Sequence, residues 1–200
     1  HLRPEGPRDE VNIEKPIAEN LKAIAKAKGK AVEDLPTIIL DRPRHEGMIA
    51  EIRKVGARIR QIPDGDVAAA LMTAMPETGV DVLFGVGGTP EGVITACALR
   101  AMGGEIQGKL YARDDDELRR GREAGYDFEK ILTMDDLVSS EDVFFAATGI
   151  TDGELLQGVR YYGDGATTDS LVVRGLTGTV REIKAHHRID KLHLLSAIKY

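Results

Sequence analysis

Tryptophan is absent from this chain, cysteine occurs once, and aromatic residues make up only 4% of its 200 positions. The single cysteine, Cys97, excludes a disulfide within the chain and any cysteine-built zinc site. Set in the apolar stretch "ITACALRAM", it reads as a small core hydrophobe. A lone thiol of that kind and an opening without a charged-then-apolar leader fit a reducing compartment, and cytoplasm is the expected location. No window approaches the roughly 18 consecutive apolar residues of a membrane helix, so no membrane span is expected. Excess positive charge is lacking too: 27 basic against 33 acidic residues, mixed along the chain, give a formal charge of −6. Without a basic stripe there is no electrostatic footprint for a nucleic-acid backbone, and nucleic-acid binding is not expected. His186 and His187 have no cysteine, histidine or acid at metal-ligand spacing, which argues against zinc. A G-x-S-x-G elbow is missing, so serine-triad chemistry has no anchor.

What is present is alternation. "IAENLKAIAKAKG" carries Ile17, Leu21, Ile24 and Ala25 on one helical stripe and stops at Gly29. "LPTIIL" reads as a buried strand ending at Asp41, "HEGMIAEIRKVG" as a helix, and "ARIRQIP" as a half-buried strand. "DVAAALMTAMP", "VDVLFGVGG" and "PEGVITACALRAMGG" continue as helix, strand and helix. Strand followed by helix, repeated, predicts an α/β fold with a largely parallel or mixed sheet and helices on both faces. Further on, "RDDDELRRGREAGYD" reads as a charged helix or solvated loop and "VFFAATGIT" as a buried strand. "SLVVRG" and "TVREIKAHH" around "GLTG" read as a hairpin. The polar opening, residues 1–10, is expected to be loop.

In an open α/β sheet ligands bind beyond the carboxyl ends of the strands, where the next helices present free N–H groups. Three segments fall at such ends. In "GVGGTPEGV", Gly85, Gly87 and Gly88 allow close approach to backbone, Pro90 suits a first helical turn, and Glu91 adds an acid. The bland alternative, that Glu91 only complements the helix dipole, would leave the preceding glycines without a purpose. The segment departs from the dinucleotide fingerprint, because Pro90 holds the third glycine position, and it lacks the Gly-Lys of a Walker loop. In "RPRH", Pro43 keeps Arg42 out of helix, and the guanidinium forks of Arg42 and Arg44 suit a phosphate; surface ion pairing is the bland alternative. His45 beside them reads as a helix-start residue. In "PDGD", Asp64, Gly65 and Asp66 suit a turn and helix cap on their own, or sugar hydroxyls and a hydrated cation.

Taken in order and spacing, "RPRH", "IPDGDVAAALMT", "DVLFGVGGTPEGV", "FAATGITDGELLQGV" and "ATTDSLVVRG" resemble the C-terminal part of the class II fructose-1,6-bisphosphatases, the GlpX type. The likeness runs from about Val11 to the region of His187, and the Pro-Glu-Gly segment is its most specific part. The resemblance implies a layered α/β sandwich of the lithium-sensitive, metal-dependent sugar phosphatase type. It implies hydrolysis of the 1-phosphate of fructose 1,6-bisphosphate in gluconeogenesis and glycerol metabolism, with Mn2+ or Mg2+. Sedoheptulose 1,7-bisphosphate is a possible second substrate, and a homo-oligomer is expected. Carried over by position, Glu91 becomes a metal-site carboxylate next to the scissile phosphate and Gly88 gives its backbone to substrate. Asp64, Gly65 and Asp66 contact the sugar, and Arg42, Pro43 and Arg44 line the phosphate pocket.

One departure matters. The upstream metal-binding acids of that family, including an Asp-Pro-x-[Asp/Glu]-Gly-Thr stretch, and its substrate tyrosine have no counterpart in this chain. Residues 1–200 are therefore expected to be the C-terminal part of such a domain and inactive alone. A non-catalytic phosphosugar-binding module and an oligomer-forming fragment stay open as alternatives.

Overall fold

In a computed structural model the described residues are 10–195, so the expected loop over residues 1–10 lies, but for Glu10, outside them. Helix α1 (Ile17–Lys28) and helix α2 (Glu46–Val55) each bury one apolar stripe, Leu21, Ile24 and Ala25 in the first and Ile49 and Ile52 in the second. Both stop at a left-handed glycine, as their sequences lead one to expect. Between them runs β1 (Pro36–Leu40), flanked in parallel by β2 (Arg58–Ile62) and β3 (Val82–Phe84), in the order β2-β1-β3.

Side chains alternate across a strand, so the central β1 serves two cores. Ile39 joins Leu21, Leu35 and Ile52 under α1 and α2, while Ile38 faces Ala69 and Met72 of α3 (Asp66–Thr73). Burial on both faces explains why "TIIL" is a continuous apolar run rather than an alternating one.

A second core lies beyond α3. Helix α4 (Thr89–Met102) presents Ala96, Ala98 and Ala101 with Leu71 of α3 to Phe145, Leu171 and Val173 of a separate antiparallel sheet. That sheet contains β6 (Phe144–Thr148), β7 (Arg160–Tyr162), β8 (Gly165–Arg174) and β9 (Thr179–Arg188). The layers thus run helix, parallel sheet, helix, antiparallel sheet. Between α4 and β6 lie the two-stranded β4 (Gly108–Lys109) and β5 (Ile131–Leu132), α5 (Asp115–Glu123) and α6 (Met134–Leu137); α7 (Ile189–Leu195) follows β9. Among the described residues no helix is long and apolar enough to cross a membrane.

The expected hairpin is β8 and β9, paired from Gly165 with Arg188 to Arg174 with Thr179. The charged "RDDDELRRGRE" segment is the helix α5, which buries none of its residues. Two expectations need correcting. The parallel part is three strands, and the later strands form their own antiparallel sheet because hairpin connections cannot make parallel neighbours. Strand β6 is not buried throughout: it alternates, with Phe145 in the core and Phe144 62% exposed, because only one face of its sheet is covered by helices.

Candidate functional site

Parallel strands connected by helices bring the starts of α2, α3 and α4 to one edge of the sheet. Helix α2, after β1, packs on one face, whereas α3 packs on the other, with α4 against it. The connections therefore diverge between the carboxyl ends of β1 and β3, and the crevice of a topological switch point opens there.

The loop after β3 crosses this crevice, and each strand end sends one side chain to it. Arg44 donates from Nε and Nη2 to the Val86 carbonyl, at 3.0 and 2.7 Å. Asp66 stands over Gly87, where an added Cβ would meet its Oδ2 at 2.7 Å. Glu91 folds back over Gly88, where an added Cβ would overlap its carboxylate. Three consecutive residues thus receive one side chain each from the loops after β1, β2 and at the head of α4. Successive Cα atoms are about 3.8 Å apart, so the three side chains converge within about 8 Å of backbone.

Local sequence explains these placements. Arg42, before a proline, is extended with φ −139° and ψ 143°, and Pro43 starts a short 3-10 turn that delivers Arg44 and His45 to the sheet edge. Gly65 takes φ +84° and ψ 42°, a left-handed conformation natural to glycine, which turns the chain from β2 into α3. Asp66 then accepts the Val67 N–H on Oδ1 at 2.9 Å and keeps Oδ2 toward Gly87. Gly88 caps α4 without a side chain and Pro90 follows in its first turn. Since Gly92 N–H bonds Gly88 and Pro90 has none, the Thr89 and Glu91 N–H groups have no acceptor within the helix and suit an anion.

Two of the expected residues are not brought to this point. Arg42 turns back to the carbonyl of Asp41, and Asp64 stays exposed without capping α3. His45, read from sequence as a helix-start residue, does stand at the head of α2, but it is also fully buried and bonded at both ring nitrogens. Nothing in the letters "RPRH" announces that burial. The segment "TGITDGELLQG" also borders the site end of the helix layer. Leu155 and Leu156, like Val67 of α3, pack against the core formed by α3, α4 and the antiparallel sheet, and Arg60 of β2 forms an ion pair with Glu154. Two of its glycines are steric necessities: a Cβ on Gly149 would overlap the Gln157 carbonyl, and one on Gly158 would meet the Thr151 and Asp152 backbone at 2.6 and 2.7 Å.

Asp66 and Glu91 are hard oxygen donors of the kind Mg2+ and Mn2+ prefer. Yet among the described residues no group of three or more His, Cys, Asp or Glu stands together as a metal cage. Two carboxylates by themselves do not complete such a site.

A family model described as bacterial fructose-1,6-bisphosphatase, glpX-encoded, matches residues 3–187. Curated relatives include fructose-1,6-bisphosphatase 1 class 2 of Escherichia coli and fructose-1,6-bisphosphatase class 2 of Shigella flexneri. Each is 41% identical over 199 residues, covering 93% of this chain and 59% of the relative. The chain therefore spans about three fifths of the length of these relatives. With the match extending through all three loops that meet at Val86, Gly87 and Gly88, the chain belongs to the bacterial, glpX-encoded fructose-1,6-bisphosphatase family.

Proposed function

We propose that this chain carries the sugar-phosphate-holding part of a fructose-1,6-bisphosphatase. The reaction is hydrolysis of the 1-phosphate of fructose 1,6-bisphosphate to fructose 6-phosphate and phosphate, in gluconeogenesis. The observation that carries this reading is the meeting of Arg44, Asp66 and Glu91 on three consecutive loop residues at the switch-point crevice. The phosphate would lie against the Gly87–Gly88 backbone and the free N–H groups at the head of α4. Asp66, with Asp64 able to turn in from the rim, would accept hydrogen bonds from sugar hydroxyls. Arg42, half-buried and donating to the neighbouring Asp41 carbonyl, is the cation that would swing onto a phosphate.

Charge balance supports a divalent cation. Asp66 and Glu91 beside the loop would repel a phosphate dianion, and Arg44 is already engaged with a carbonyl. Mn2+ or Mg2+ bound partly by Glu91 would offset that repulsion, with the remaining ligands drawn from beyond the described residues. Sedoheptulose 1,7-bisphosphate presents the same 1-phosphate chemistry and is included as a substrate. The layers of this fold agree with a metal-dependent sugar phosphatase sandwich, and a cytoplasmic homo-oligomer is the proposed setting.

Titration calorimetry of the 200-residue chain tests the reading. Fructose 1,6-bisphosphate is expected to bind more tightly with Mn2+ than without, and more tightly than fructose. Equal affinity for the bisphosphate and for unphosphorylated fructose would overturn it.

A further inference from the structure

We infer that His45 is a positioning residue that holds the glycine-rich loop Gly85–Gly88 in its ligand-receiving conformation; this deepens, and rests on, the sugar-phosphate reading of the site. His45 is 0% exposed, and its two ring nitrogens reach in different directions. Nδ1 lies 2.8 Å from the carbonyl oxygen of Leu40, the last residue of β1, and Nε2 lies 2.9 Å from the backbone nitrogen of Val86. Both are normal hydrogen-bond distances. A carbonyl can only accept and a backbone N–H can only donate, so the ring is neutral, with its proton on Nδ1 and its lone pair on Nε2 turned to Val86.

The ring is therefore a strut from the central strand to the loop. It is mounted on the head of α2 and on β1, the most buried strand of the parallel sheet. It also packs beneath the loop, where a Cβ on Gly85 would meet its Cε1 at 3.7 Å. Arg44, the preceding residue, takes the Val86 carbonyl. Adjacent residues 44 and 45 thus grip both polar backbone groups of Val86. Gly87 and Gly88, lacking side chains to anchor them, inherit their placement from this grip. A glycine-rich loop otherwise samples many conformations, and each ligand-incompetent one weakens apparent affinity in proportion to its population. Because the ring is out of water, losing either bond leaves a buried polar group unpaired, which makes the strut self-enforcing.

The test uses the 200-residue chain. Long-range proton–nitrogen correlation of the 15N-labelled protein is expected to show a neutral His45 protonated at Nδ1; protonation at Nε2, or averaging between the two, overturns the inference. His45→Asn retains a donor near Leu40 but cannot reach Val86, whereas His45→Gln can present its Oε1 to the Val86 N–H. Affinity for fructose 1,6-bisphosphate with Mn2+ is expected to fall about tenfold in His45→Asn, as if the loop were competent a tenth of the time. His45→Gln is expected to recover most of it, whatever the two melting temperatures. Affinity that follows melting temperature rather than reach to Val86, or is unchanged in both variants, overturns the inference. If the unsubstituted chain binds no bisphosphate, the sugar-phosphate reading fails instead. The tautomer and the amide-exchange protection of Val86 in the unsubstituted chain then decide the strut.

Discussion

Two glycine substitutions separate backbone necessity from ligand access. At Gly88 an added Cβ would overlap only the end of the Glu91 side chain, which can rotate away, and φ −73° suits any residue. Gly88→Ala is therefore expected to change stability by less than about 1 kcal/mol, while displacing Glu91 and weakening Mn2+-dependent binding of fructose 1,6-bisphosphate. At Gly158 the obstruction is the backbone of Thr151 and Asp152, which cannot rotate away. Gly158→Ala is expected to cost about 1–3 kcal/mol, read as a lowered melting temperature. Equal melting temperatures for the two variants would contradict this assignment. The same contrast explains what the letters conveyed: glycines at 85, 87 and 88 signalled close approach, and only coordinates distinguished which neighbour approaches.

Among elements, the antiparallel sheet is fastened to the helix layer by few large side chains. Leu171, 1% exposed, faces the alanines of α4, and Leu171→Ala is expected to destabilise by about 2–5 kcal/mol in denaturant titration. Electrostatics fasten other elements. Asp81, just before β3, takes Lys28 Nζ at 2.7 Å and Lys30 Nζ at 2.6 Å, tying the end of α1 to the parallel sheet. Burial opposes its ionisation, yet the two ammonium groups prevail and hold its pKa below the ordinary 3.8. At α6, the Lys130 ammonium, then the Thr133 backbone N–H and hydroxyl, lower Asp136 from 3.8 to about 2. A depressed carboxylate stabilises the fold above its unfolded pKa, and the contribution disappears as pH falls through the folded value. Thermal melts should accordingly be flat near neutrality and fall between about pH 4 and pH 2. Asp81→Asn should lose about 1–2 kcal/mol at pH 7 and show a shallower acid decline. An unaltered acid profile in that variant would remove Asp81 from the account.

For the whole molecule, the incomplete carboxylate set leads to a kinetic expectation. With Mn2+ and fructose 1,6-bisphosphate, the 200-residue chain is expected to bind without releasing phosphate above background; sustained turnover would mean that the described donors suffice. Strand β9, which among the described residues pairs with β8 alone and bears exposed Val180 and Ile183, is where self-association would be sought by sedimentation at several concentrations.

Periodicity in the chain was enough to determine the helices α1 to α4, the buried strand β1 and the β8–β9 hairpin, because helical and strand spacing are local properties. Residue chemistry singled out 42–44, 64–66 and 85–91 as strand-end segments suited to a phosphate or a sugar. Tertiary structure alone decided that β1 lies between β2 and β3, and hence that the crevice opens beside β1. It alone turned Arg44 to a carbonyl, left Arg42 and Asp64 at the rim, and buried His45 between two strand ends. Arg44 and His45 lie 42 and 41 residues from Val86 in sequence, so no local pattern encodes their meeting; strand order and layer packing do.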